Sequence, residues 1–280
     1  MPRLDYTSAP QFPKFIQKTE NGQLAKGLPF IRFGKGPQKL VIFPGISDAF
    51  LPIASSMPQY IPWYYRRYAR DYDVRVISRK RGLPAGYTTR DMARDYAAAI
   101  EEIGGPVHVL GLSLGSLIGQ YLVADFPYLI RGLILSMGSS QRVPETVKLA
   151  RRWIILARQE KWSELYAESV NVTFTGGHRV FWRHAMPVLI GRPGIPNDFV
   201  VSMEACIQHD AREKLREIKA PTLVLGGKKD VLIPEAFFRE LAELIPNATL
   251  CLIETGGHGL YEQNKREFES AVIDFLKTVS

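Results

Sequence analysis

Apolar residues in this chain gather into short runs, and the runs are separated by segments with the three-to-four-residue periodicity of amphipathic helices. QKLVIFPG is the first clear run, a buried strand closed by Pro44-Gly45. IPWYYRRYARDY then predicts a helix, DVRVISR a strand, TTRDMARDYAAAIEEIGG a helix and VHVLGL a strand. Thr88 or Thr89 can N-cap the second of these helices and Gly104-Gly105 can end it. A helix follows from Leu114, then the strand RGLILSMG, and much later PTLVLGG, the helix PEAFFRELAELIP, the strand ATLCLIE and a closing helix to Leu276. Largely apolar strands alternate with helices, so the pattern predicts an α/β fold with a mostly parallel, doubly wound sheet. Ahead of it, FIQKTENGQLAKGLPFIRFGKGP predicts an antiparallel hairpin around Asn21-Gly22.

The alternation fails between about Ser139 and Lys219, which is helical, rich in Trp153, Trp162, Phe174, Phe181 and Trp182, and interrupted by glycine and proline. Residues 139–219 are therefore expected to form an inserted helical cap, and residues 1–138 and 220–280 the core on which it rests as part of one folding unit. Its aromatics are expected to form mainly its own core. The segment VPETVKLARRWIILARQEKWSELYAESV mixes Val147, Ile154 and Leu165 with Lys148, Arg151, Arg152, Arg158 and Lys161. An apolar pocket with a basic rim would suit medium acyl chains, or an acyl group presented by an acidic acyl-carrier protein, although a helix with one packed and one solvated face has the same pattern.

A chain of 280 residues with 46% hydrophobic content can bury a substantial core. Its formal charge of +8 favours anionic partners in general, but the cations are dispersed apart from Arg79 to Arg81 and the pair Arg151-Arg152, which argues against nucleic acid. MPRLDYTSAPQFPKFIQ, broken by prolines and charges, does not read as a signal peptide. LVIFPGI and GLILSMG are far shorter than the roughly 20 residues of a membrane span, so no transmembrane segment and a cytoplasmic location are expected. Cys206 and Cys251 are too few for a disulfide framework and read as small hydrophobes; no ligand spacing suggests zinc, and no cofactor is expected.

The candidate chemistry sits in VHVLGLSLGSLIGQYLVADF, where a strand gives way to a helix at Ser113, flanked by Gly111 and Gly115. A serine in a tight strand-to-helix turn projects its hydroxyl outward, with the positive end of the helix behind it. That hydroxyl needs a base, and the base needs an acid to fix its tautomer. Of His108, His178, His184, His209 and His258, only His258 follows a predicted strand at the carboxyl edge of the sheet. His108 lies inside a strand and reads as a core residue, and the other three lie in the cap, where surface or substrate-lining roles are expected. Asp230 follows PTLVLGG at the same edge and is the expected acid; the plainer alternative is a cap for the helix from Pro234, with Asp210 and Glu254 as substitutes. Donors for an oxyanion are expected from the backbone N–H of Leu114, directly after the serine, and of Ile46, in PGISD.

These residues resemble the α/β-hydrolase superfamily, in particular small serine esterases and lipase-like enzymes with a helical cap. The resemblance runs from LVIFPGISD through GLSLG and VLGGKKDVLIP to ETGGHGLYEQ. It implies Ser113 as nucleophile, His258 as general base and acid, Asp230 as its orienter, and hydrolysis of small to medium hydrophobic esters through an acyl-enzyme without metal or organic cofactor. A serine at the elbow sets the chain apart from haloalkane dehalogenases and epoxide hydrolases of the superfamily. Pro44-Gly45 stands where many relatives have His-Gly, removing a side chain that often braces the oxyanion loop. A thioesterase, a carbon–carbon bond hydrolase, or a catalytically silent fold serving as ligand receptor stand as alternatives.

Overall fold

The structure is a computed structural model that describes residues 19–52, 54 and 59–279. The start of the sequence, including the lead-in to the first predicted strand, lies outside the described residues. An eight-stranded sheet organises the rest, in the order β1-β2-β4-β3-β5-β6-β7-β8. Its strands are β1 Glu20–Leu24, β2 Leu28–Phe33, β3 Gln38–Phe43, β4 Tyr72–Ile77, β5 Val107–Leu112, β6 Ile130–Ser136, β7 Thr222–Gly227 and β8 Ala248–Ile253. β1 pairs with β2 and β2 with β4 in antiparallel fashion, and every other pairing is parallel.

The entry hairpin departs from expectation. Asn21 and Gly22 lie within β1, opposite Ile31 and Phe30, and the chain reverses at Ala25–Gly27 instead. Lys26 (φ 63°) and Gly27 (φ 74°) both take left-handed backbone there. This register pairs Leu24 with Leu28, both buried, and lets the Phe30 ring lie over the bare face of Gly22. Apolar burial thus overrides the local turn preference of Asn-Gly.

Alternation along the strands divides the core. Val41, Phe43, Val109, Leu133, Leu135 and Val224 face the helices α2 (Thr89–Ile103) and α3 (Leu114–Asp125). Leu40, Ile42, Val76, Leu110, Ile134 and Leu225 face the closing helix Lys265–Thr278, which contributes Phe268, Val272 and Leu276. Each such large apolar side chain, fully buried, contributes on the order of 1.5–3 kcal/mol. Thr88 caps α2 in a reciprocal box: the Asp91 N–H donates to Thr88 Oγ1 at 3.1 Å, and the Thr88 N–H donates to Asp91 Oδ2 at 3.0 Å. Gly104, at φ 75°, ends the helix in the left-handed region. The predicted helix IPWYYRRYARDY is shorter than expected, a single helical piece, α1 (Tyr60–Tyr64), and a 3₁₀ turn Tyr68–Arg70.

Between β6 and β7 the chain runs through α4 (Pro144–Arg158), α5 (Trp162–Thr173), α6 (Gly176–Leu189) and α7 (Pro196–Gln208), then the short α8 (Arg212–Leu215). Trp153, Ile154, Leu165, Phe199 and Met203 belong to the same buried cluster as the sheet face above α2 and α3. Not all the aromatics of this interval turn inward: Trp153 and Trp162 are buried, whereas Phe181 is exposed.

Candidate active site

Ser113 sits between β5 and α3 with φ 52° and ψ −114°, a backbone conformation that costs a non-glycine residue on the order of 1–3 kcal/mol. Its surroundings hold it there. The Ser113 N–H donates to the Ser136 carbonyl on the neighbouring strand at 2.8 Å, and the Ser116 N–H turns back to the Ser113 carbonyl at 2.8 Å. The flanking glycines let the backbones meet. A Cβ at Gly111 would come within 2.6 Å of the Gly115 carbonyl oxygen, and one at Gly115 would collide with the Phe43 carbonyl.

Two further loops at this edge bring side chains to the serine. Ser113 Oγ lies 3.1 Å from His258 Nε2, and His258 Nδ1 lies 2.9 Å from Asp230 Oδ2. The second carboxylate oxygen of Asp230 accepts the N–H groups of Leu232 and Ile233 at 2.8 and 2.9 Å, which fixes the carboxylate from behind. Asp230 is buried, and the helix that follows, Glu235–Leu244, is not capped by it. The loops that carry the two residues are joined as well, since the Lys229 N–H donates to the Gly256 carbonyl at 2.8 Å. The substitute acids lie elsewhere: Asp210 pairs with Arg212, and Glu254 pairs with Lys228, both on the surface.

Of the remaining histidines, His108 is buried within β5, with Nε2 2.8 Å from Gln38 Oε1. Burial, reinforced by Arg131, pushes its pKa down to about 4. His178 and His184 are exposed on α6. His209 is neither at the surface nor among the cavity residues. It is buried between Thr89, whose Oγ1 lies 3.0 Å from Nδ1, and Gln120, whose Oε1 lies 3.2 Å from Nε2. Burial lowers its pKa to about 3, so it is a neutral, internal bridge between α2 and α3.

Ile46 opens a short 3₁₀ turn, Ile46–Ala49, directly after β3, and Leu114 is the first residue of α3. N–H groups at such first positions precede the first bond of their own helix. The two segments are in contact: a Cβ on Gly45 would stand 3.4 Å from Ser113 Cβ and from the Leu112 carbonyl. Ile46, Ser113, Leu114 and His258 all line one cavity.

The brace that Pro44-Gly45 does not provide comes from the segment just after β4. Arg79, buried, donates from Nη1 to the Pro44 carbonyl and from Nη2 to the Gly45 carbonyl, each at 3.0 Å. Asp48, at the heart of the same loop, accepts the Ser78 hydroxyl at 2.6 Å and the Arg79 N–H at 2.9 Å, with the Arg79 guanidinium 3.7 Å away. Arg81 adds bonds to the Asp48 and Ala49 carbonyls at 3.0 and 3.3 Å, and pairs with Asp198 of α7 at 3.2 Å. Asp198 in turn accepts the N–H groups of Gly82 and Leu83. Of the basic triplet Arg79 to Arg81, both arginines are therefore turned inward onto this loop. An acid a few residues after the loop glycine, matched by a cation at the end of the next strand, was the signal available in sequence.

The cavity has a volume of about 110 Å³ and is mostly apolar, with Leu117, Met137, Val147, Trp153, Met203 and Ile233 among its walls. Cys206 also lines it as a free thiol, its pKa pushed up to about 12 by burial. Arg142 is its cation. The basic rim expected from α4 is weaker than composition suggests, because Arg152 is held by Glu164 and Glu168 and Arg158 by Glu204.

Comparison with known proteins places this chain among relatives. The family model described as the alpha/beta hydrolase fold matches residues 76–265. A protein of Pseudomonas savastanoi pv. phaseolicola that carries the name of a carbamate hydrolase, RutD, is 26% identical over 220 residues, covering 74% of this chain and 84% of its own. A thermophilic esterase from Thermogutta terrifontis superposes with a TM-score of 0.75 at 19% identity, over 93% of this chain and 99% of that one. An esterase from Exiguobacterium antarcticum gives a TM-score of 0.73 at 20% identity, over 92% and 98%. At such identities the two esterases speak to the fold alone.

Proposed function

The chain belongs to the alpha/beta hydrolase fold family, and from that premise we propose that it is a serine hydrolase cleaving carboxylic esters of small to medium hydrophobic acyl groups through an acyl-enzyme. The observation that carries this function is the continuous relay from Ser113 Oγ through His258 to Asp230, with links of 3.1 and 2.9 Å. Ser113 attacks the ester carbonyl as His258 Nε2 takes the hydroxyl proton. Asp230 holds the Nδ1–H, keeping the imidazole in the tautomer whose Nε2 is free to accept. The oxyanion of the tetrahedral intermediate takes hydrogen bonds from the N–H groups of Leu114 and Ile46, donors of a kind worth about 10²–10³ in kcat each. Collapse expels the alcohol with the proton from His258. Water then attacks the acyl-enzyme, gives its proton to His258, and frees Ser113.

The α4–α7 segment, within residues 139–219, acts as the cap and supplies much of the acyl pocket through Val147, Trp153 and Met203. An apolar cavity of about 150 Å³ accommodates benzene, so 110 Å³ favours the short end of the acyl range. The relative that bears a carbamate hydrolase name favours a second substrate class for the same relay, since a carbamate carbonyl meets the nucleophile in the same way.

The test is covalent labelling with a fluorophosphonate and mapping of the modified residue, together with turnover of p-nitrophenyl acetate. Label on Ser113, lost in His258→Ala, and turnover lost in Ser113→Ala are expected. A Ser113→Ala protein that turns over the ester at the original rate would overturn the function.

A further inference from the structure

The helix α6, Gly176–Leu189, has no buried residue. Its apolar side chains are on the wrong side for a helix of a protein surrounded by water: Val180, Phe181, Val188 and Leu189 are 62%, 60%, 84% and 59% exposed. Val180, His184 and Val188 follow one another at i, i+4 and i+8, and Phe181 lies beside them, so they form one outward stripe. The opposite side holds the helix in place, with Met186 packed against the core and Trp182 stacked on Phe174 at 6.1 Å.

Charge selects the occupant of that stripe. From Asn171 to Asn197 the sequence contains Arg179, Arg183 and Arg192 but neither aspartate nor glutamate. Arg192 is paired with Glu160, while Arg179 donates to the Phe174 carbonyl, and neither it nor Arg183 has an acidic partner among the described residues. The nearest acids on the preceding helix, Glu164 and Glu168, are taken by Arg152. We propose that this face docks on an anionic lipid surface, with Val180, Phe181 and Val188 entering the acyl boundary and Arg179 and Arg183 meeting the headgroups. A second copy of the chain fits less well, because two-fold pairing of the stripe would bring like-charged flanks together with no acid to offset them. Among the described residues no helix is long and apolar enough to cross a membrane, so the association is with the surface.

The helix emerges beside the proposed active site. Thr173, just before it, lines the cavity, and its carbonyl accepts the N–H of Gly259, the residue after His258, at 2.9 Å. Gln263 Nε2 donates to Thr175 Oγ1 at 2.9 Å, a second tie to the same region. Docking would hold the cavity against the bilayer.

The experiment is flotation of the full chain with vesicles of phosphatidylcholine alone or with about one-third phosphatidylglycerol, at low and high salt. Binding to the anionic vesicles is expected to exceed that to the neutral ones by about thirty-fold, the equivalent of about 1 kcal/mol for each of two arginines, and to weaken with salt. Phe181→Asp with Val188→Asp should abolish it while leaving the thermal midpoint and the turnover of a soluble ester unchanged. Ser113→Ala should bind as the parent does, which separates this inference from the proposed chemistry. Absence of binding by the parent, equal binding by the double variant, or a concentration-dependent dimer that the double variant dissolves would each overturn it.

Discussion

Replacing Arg79 with methionine is expected to damage turnover more than its distance from any reacting atom suggests. The guanidinium is buried and bonds two successive carbonyls of the loop that presents the Ile46 N–H. Each hydrogen bond from a charged donor is worth about 1.5–3 kcal/mol, and removing one member of a buried pair, here Arg79 beside Asp48, costs about 3–5 kcal/mol. These terms share the same atoms and do not add, so about 3–5 kcal/mol is the whole loss. At roughly 2–4 °C for each kcal/mol, the thermal midpoint should fall by about 10 °C. A folded variant, assayed well below that midpoint, should lose about tenfold to hundredfold in kcat with little change in KM, because the donor acts mainly on the oxyanion of the transition state. Arg79→Lys separates the two effects. It keeps the charge beside Asp48, so it should recover much of the stability, yet an ammonium cannot span two carbonyls as the planar fork does, and kcat should stay low. Calorimetry and steady-state kinetics on one ester measure both. A folded Arg79→Met protein with kcat within about twofold of the parent would refute the bracing role, since a lost donor is worth far more than that.

Other expectations follow from the same structure. Trp153→Ala should enlarge the cavity and shift the preferred acyl chain to longer p-nitrophenyl esters, read as the ratio of kcat/KM values along a chain-length series; an unchanged ratio would remove Trp153 from the pocket. Gly115→Ala should leave little folded protein, because its methyl group would collide with the Phe43 carbonyl on β3, and urea unfolding of whatever is recovered is the check. His209 and His108, with pKa values pushed to about 3 and about 4 by burial, stay neutral in the folded protein while the unfolded chain takes up protons below about pH 6.5. Stability is therefore highest above that pH and falls as pH drops towards 4, by about 1.4 kcal/mol per pH unit for each fully differential proton. Denaturant titrations across that range should show the slope, and His209→Gln should make it shallower.

The convergence of Ser113, Asp230 and His258 was legible in the sequence because each follows the carboxyl end of a recognisable strand within a few residues, and a parallel sheet gathers such positions at one edge. The alternation of strands and helices was legible for a similar reason, since β3 to β8 are short, largely apolar runs, with Asp73 and Arg75 of β4 the charged exception. What escaped depends on register and burial. Arg79 reaches Pro44 and Asp48 only because β3 and β4 run parallel with Ile42 beside Val76, so residues more than thirty apart end side by side. A count of charges cannot tell such a guanidinium from one in water. Asn21-Gly22 misled because a local turn preference of modest size competed with the burial of Leu24 and Leu28. His209 is a polar residue sunk between helices, and its partners Thr89 and Gln120 are scattered along the chain.

The tie from Asp198 through Arg81 to the Asp48 and Ala49 carbonyls has a practical meaning for anyone who wishes to exchange the α4–α7 segment of this scaffold for another. Swapped segments are usually chosen for the pocket walls they contribute. Here the segment also carries the far anchor of a strut that ends at the backbone of the turn opened by Ile46. A chimera that discards Asp198 would therefore inherit a new specificity together with a slackened catalyst, and restoring a carboxylate at that one position should recover the rate without altering which ester is preferred.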